Sequence, residues 1–141
     1  MNRSSSKTQA RALLLGARTS AATGVVVLVA LFITAGQYIQ HHRLEDVHGL
    51  SAIVLHVVTG LLAGCTVVYA WITRTGWRAA GVAVGIFGLT FLQASWGGDP
   101  TLYLHIPGSL VVVGGVIGLL AWSVVEPRQN GATWRTDRST A

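Results

Sequence analysis

The sequence predicts an all-α integral membrane protein, a four-helix bundle made of two hairpin repeats with both termini in the cytoplasm. Just over half of the 141 residues are apolar (51%), and only 11% are charged, whereas a soluble domain carries about 25% charged residues. Four uncharged apolar stretches lie at about 21–40, 48–73, 79–97 and 101–125. An α-helix needs roughly 20 apolar residues to cross a bilayer, so each stretch is long enough to span it.

The first stretch follows a basic segment at residues 1–20, an arrangement that also begins a signal peptide. Arg11 and Arg18 precede the apolar run, but the run continues through Tyr38 without a convincing cleavage site of small residues. We therefore expect the segment 21–40 to be kept as the first helix.

The last stretch contains Pro107, which bends the fourth helix if that helix begins near residue 101. Alternatively, the regular helix begins near Ile106. Residues 126–141 open with Glu126-Pro127 and are predicted to form a disordered cytoplasmic tail.

The basic residues predict the orientation in the plasma (inner) membrane. One side of a four-span chain carries Arg43 alone, and the other side carries nine basic residues, which the positive-inside rule places in the cytoplasm. These nine are Arg3, Lys7, Arg11, Arg18, Arg74, Arg78, Arg128, Arg135 and Arg138. The net charge of +5 therefore reflects the orientation of the chain in the membrane and does not indicate nucleic-acid binding. The expected partner is the lipid bilayer.

A weak internal repeat relates the two hairpins. The segment 33–37 near the end of the first helix resembles 89–93 near the end of the third, and Leu55-His56 resembles Leu104-His105. Two helical hairpins related by a pseudo-twofold axis would produce this pattern.

Histidines within the spans are the candidate functional residues, because ionisable groups there are rare and usually face the bundle interior. His56 lies 15 residues before Trp71, and His105 lies 17 residues before Trp122. If both tryptophans mark the inner interface, the two imidazoles lie about 22 and 26 Å from it, at nearly the same level. His48 lies about 12 Å above His56, at the outer interface.

Two facing imidazoles inside a four-helix bundle suit the axial ligation of haem iron. The predicted cofactor is haem b, because the sequence has no Cys-x-x-Cys-His motif for covalent attachment. Gln37 and Gln93, at equivalent positions of the repeat, could hydrogen-bond to the ligands. The propionates would point outward, toward Arg43, His41, His42 or Trp96.

The helix arrangement resembles one four-helix half of the heme A synthase family. The Glu-x-x-His motif of that family appears as Glu45-Asp46-Val47-His48, and its fourth-helix histidine corresponds to His105. The resemblance covers roughly residues 20–125 and implies haem binding through His48 and His105. It therefore nominates His48, whereas depth and the repeat nominate His56. We predict His56 and His105 as the axial ligands of the haem iron, with His48 as the alternative to His56.

The leading function is haem-b binding near the outer face, for electron transfer or haem handling with a membrane redox partner. Hydrolase and nucleotide-binding motifs are absent from the sequence, and we expect no stand-alone enzyme. A second function is a non-catalytic helical subunit that stabilises or assembles a larger membrane complex. A third is an outer copper or zinc site using His41, His42 and His48 with Glu45 or Asp46.

Overall fold

Four long α-helices account for most of the chain in the computed structural model, which describes residues 3–41 and 43–136. Helix α1 spans Arg3–His41, α2 spans Glu45–Thr73, α3 spans Trp77–Ser95 and α4 spans Leu102–Thr136, with a 3₁₀ turn at Asp99–Thr101 before α4. Each helix is long and apolar enough to cross a membrane. The predicted four-helix architecture is therefore confirmed, and the side on which each terminus lies stays a prediction.

The helices form a ring in which α1 packs against α2 and α4, and α3 packs against the same two helices. Helices α2 and α4 consequently face each other across the bundle diagonal. We call the end with the 42–44 and 96–101 connections the outer end. The inner end holds the tight α2–α3 connection, where Arg74 and Gly76 adopt positive φ angles of 59° and 76°.

Two of the helices are longer than the sequence predicted. The basic segment 1–20 is helical from Arg3, because Leu14 and Ala17 are buried in the bundle and Gly16 lies against the Cys65 side chain of α2. These contacts fix the segment to α2 as part of α1.

Helix α4 likewise continues to Thr136, where we had predicted disorder from residue 126. Glu126 Oε1 accepts hydrogen bonds from Tyr69 and Thr75, at 3.2 and 3.4 Å, which ties this part of α4 to the α2–α3 connection. Pro107 lies inside α4, five residues after its first residue, so the alternative start near Ile106 is wrong.

The core has two layers of different composition. The inner cluster consists mostly of alanine, with Ala17, Ala21, Leu62, Ala63, Ala79, Ala83 and Leu119. The outer cluster contains larger side chains, namely Leu28, Leu55, Ile86, Val112 and Val116. Buried threonines such as Thr59 and Thr66 bond to carbonyls of their own helix, so their hydroxyls are satisfied.

Candidate functional site

A reciprocal pair of hydrogen bonds joins His105 of α4 to Gln93 of α3. His105 Nδ1 donates to the Gln93 backbone oxygen at 3.0 Å, and Gln93 Nε2 donates to the His105 backbone oxygen at 3.1 Å. Because a carbonyl oxygen only accepts, Nδ1 of His105 carries the hydrogen. Its Nε2 atom therefore has a free lone pair.

His48 of α2 is held in a similar way by α1. Its Nδ1 atom lies 3.0 Å from the hydroxyl of Thr34, which is buried, with 6% of its surface exposed. The Thr34 hydroxyl hydrogen is directed to carbonyls of its own helix, at Ala30 or Leu31. The hydroxyl oxygen can then accept from His48 Nδ1–H, which again leaves Nε2 with its lone pair.

Seven-residue rows of buried side chains orient both histidines toward the bundle interior. His48 precedes the buried Leu55 by seven residues, and His105 precedes the buried Val112 by seven. Seven residues are two helical turns, so each histidine lies on the same face as the core residue below it. Gln93 extends a third such row, because Ile86 lies seven residues before it and is buried.

The two histidines also lie at the same level. Gly24 of α1 packs against Val58 of α2 and Val116 of α4, which defines one layer of the bundle. His48 is ten residues above Val58, and His105 is eleven residues above Val116. The site is thus a pair of half-buried imidazoles at one level on diagonal helices.

One polar atom of this site has no partner. Gln93 is buried, with 8% of its surface exposed, and its Oε1 atom is buried without a hydrogen bond within the described part of the chain. A buried acceptor without a partner costs about 1–3 kcal/mol. The amide cannot simply turn around, because its Nε2 atom is engaged by the His105 carbonyl.

His56 lies elsewhere. It follows Leu55 by one residue and is rotated by about 100° from the buried row toward α3, where its ring meets Phe91 edge-on at 4.5 Å. It is only two residues above Val58, so along the helix it lies about 14 Å below the level of His105. The expected equal depth of His56 and His105 is therefore wrong, and ligation by His56 stays a prediction.

The depth argument failed because its two reference tryptophans are not equivalent. Trp122 stacks with Tyr69 at 5.7 Å between ring centroids, whereas Trp71 stacks with Trp77 at 6.4 Å. Residue counts from these two side chains therefore start at different levels.

Of the two glutamines that the repeat nominated, only Gln93 bonds to a histidine. Gln37 is exposed on α1, one turn beyond Thr34. Thr34 takes the place expected for Gln37, and we did not predict it. The matching rows His48–Leu55–Leu62 and His105–Val112–Leu119 were the signal in the sequence that could have selected His48.

The outer connection offers little for a copper or zinc site. His41, Glu45 and Asp46 are exposed, and His42 lies outside the described residues. Among residues 3–41 and 43–136, no three His, Cys, Asp or Glu side chains are grouped so that they could hold a metal ion. Arg43, a predicted propionate partner, is exposed, and Trp96 is half-buried.

Imidazoles are common iron ligands, and each of these two has the type of Nδ1 hydrogen bond that orients a metal-bound histidine. Comparison of this chain with family models, with curated proteins and with solved structures gives no match.

Proposed function

We propose that this protein binds haem b between His48 of α2 and His105 of α4, near the outer end of the bundle. The observation that carries the proposal is a pair of imidazoles at one level on diagonal helices, each with its Nδ1 atom engaged by a neighbouring helix, which leaves Nε2 as the atom available to a ligand. The sequence has no motif for covalent haem attachment, which makes a b-type haem the fitting form. His56 remains the alternative to His48 as the second ligand.

The surroundings of the two rings support this proposal. Histidines in membrane spans are costly and usually functional, and both rings have their Nδ1 atoms engaged by a neighbouring helix. Such bonds fix the orientation of an iron ligand and raise its basicity. The resemblance to heme A synthases nominates the same two residues, although we do not extend it to synthase activity.

A haem at this position suits electron transfer or haem handling at the outer side of the plasma membrane. When bound, it would supply a one-electron redox centre. His48 and His105 would hold the iron, while Thr34 and Gln93 would orient the two imidazoles. The redox partner would meet the protein within the membrane or at its outer face.

A second function, assembly of a larger membrane complex, is favoured by one feature of α3. Gly81, Gly85 and Gly88 are exposed on a face directed away from the bundle, with open space where a Cβ atom would lie. Small residues at such spacing let a helix of another protein approach closely.

The absorption spectrum of the purified protein tests the haem proposal. We expect a Soret band and sharp bands after reduction with dithionite. His48→Ala and His105→Ala should each abolish them, whereas His56→Phe should retain them. Circular dichroism should show that all three variants remain helical.

Two outcomes would contradict the proposal. A colourless protein that hemin cannot reconstitute would favour the assembly role. Loss of haem in His56→Phe but not in His48→Ala would transfer the second ligand to His56.

A further inference from the structure

With the haem held by His48 and His105, the membrane-span histidine His56 is left outside the haem site. Its Nδ1 atom lies 2.8 Å from the backbone oxygen of Ala52, one turn earlier in α2. Because that carbonyl only accepts, Nδ1 carries the hydrogen and Nε2 is left as an acceptor. No group in the described part of the chain bonds to Nε2.

The His56 ring lies where α2 packs against α3, a contact line that we call the α2–α3 seam. Two phenylalanine rings of α3 lie beside it. Phe91 meets the His56 ring at 4.5 Å and an interplanar angle of 88°, and Phe87 meets Phe91 edge-on at 5.1 Å. Phe91 is 53% exposed, and Gly88, one turn below it, has open space around the position of a Cβ atom. The seam therefore offers one hydrogen-bond acceptor beside a flat apolar surface that is open to the bilayer.

From this arrangement we infer that the α2–α3 seam at His56 and Phe91 binds the ring of a membrane quinol. A quinol hydroxyl can donate to Nε2, its ring can pack on Phe91, and its apolar tail can remain in lipid. The oxidised quinone has only acceptor oxygens, so it cannot satisfy this nitrogen. The site should therefore prefer the reduced form.

The position of the seam gives the bound quinol a role, which rests on the proposed function. His56 lies eight residues below His48 on the same helix, about 12 Å away along the axis. A quinol at His56 would therefore be close enough to a haem at His48 for electron tunnelling. One quinol and two ferric haems, on two protein molecules, would give one quinone, two ferrous haems and two protons. His56 Nε2 would receive the first proton.

Binding is tested on the full-length protein in detergent under anaerobic conditions, with duroquinol and duroquinone as probes and protein-free detergent as the blank. We expect duroquinol to bind at least tenfold more tightly than duroquinone. His56→Phe should lower duroquinol affinity at least tenfold, and the ¹⁵N resonance of His56 Nε2 should shift on binding in the unmodified protein.

His48→Ala is the matched control, because it removes the proposed haem site and should leave duroquinol binding unchanged. In the haem-loaded protein, His56→Phe should slow haem reduction by duroquinol and leave reduction by dithionite unaffected. The inference would be overturned if the two probes bound equally well or only partitioned into detergent. It would also be overturned if His56→Phe bound duroquinol as tightly as the unmodified protein. None of these binding outcomes depends on haem, so failure of the haem proposal would be recognised separately.

Discussion

The inner and outer halves of the bundle are built differently. The inner half is packed mainly with alanines such as Ala17, Ala21 and Ala83, which allow helix backbones to approach closely. The outer half uses Leu, Ile and Val, and then the polar layer of Thr34, His48, Gln93 and His105. The contrast gives the bundle a tightly packed inner end that holds the helices in register and an outer end whose apolar core is followed by a polar layer.

The largest expected effect is from overpacking the inner half. Ala21 is fully buried, so Ala21→Leu forces extra carbon atoms between closely packed helices and should destabilise the fold by about 1–3 kcal/mol. Ala22→Leu is the matched control, because Ala22 is the next residue and is exposed. Thermal unfolding in detergent should show a clearly lower Tm for Ala21→Leu alone. Equal Tm values would mean that the inner half is not the tightly packed end.

A substitution in the outer half should have an intermediate effect, which lowers haem affinity and leaves the fold intact. A Cβ atom at Gly108 would lie 2.5 Å from Gln93 Nε2, so Gly108→Ala should displace the Gln93 amide from the His105 carbonyl. The lost bond supports the α4 backbone at His105, while the bond from His105 Nδ1 to the Gln93 backbone oxygen remains. Hemin affinity should therefore fall by less than the roughly 10–100-fold that loss of a partner of the ligating ring typically causes. Stability should change little, since the end of the Gln93 side chain can swing aside.

Hemin titration measures this effect, with Gly114→Ala as the control because no atom lies within 4 Å of a Cβ atom there. Equal hemin affinity of Gly108→Ala and Gly114→Ala would mean that the Gln93 side chain does not support the haem site.

The architecture was predictable because the length of an apolar stretch and the cost of unpaired backbone groups in lipid decide it. The extension of α1 was not, since Leu14 and Ala17 lie in a short apolar run between Arg11 and Arg18 and are held by packing against other helices of the bundle. Local composition cannot reveal a contact made by a distant segment.

The type of candidate site could be predicted from the sequence, but not all of its residues. His105 and Gln93 were nominated by their type and position, and they bond to each other. His56 was preferred to His48 because its depth was counted from Trp71, which is not equivalent to Trp122 as a reference. Thr34 was missed because a threonine in a span usually bonds to its own helix, as Thr59 does.

The smallest expected effect concerns the inner end, where Arg18 of α1 reaches α4. Its Nη2 atom donates to the Ser123 backbone oxygen at 2.7 Å. In a regular helix that oxygen would accept from the residue four positions later, which is Pro127 and has no N–H group. Arg18 thus supplies the hydrogen bond that the proline removes, which helps α4 to continue past it.

A double-mutant cycle tests this compensation. Arg18→Met should cost about 1 kcal/mol or more, because it leaves a buried carbonyl oxygen without a partner. Pro127→Ala restores the missing N–H, so the same Arg18→Met change should cost less in that background. The cycle cancels the effect of removing the charge itself, and Arg11→Met, at an exposed position of α1, should cost the same in both backgrounds. If the cost of Arg18→Met were also the same in both, the guanidinium would not compensate for Pro127, and the continuation of α4 would depend on Glu126 and its bonds to Tyr69 and Thr75.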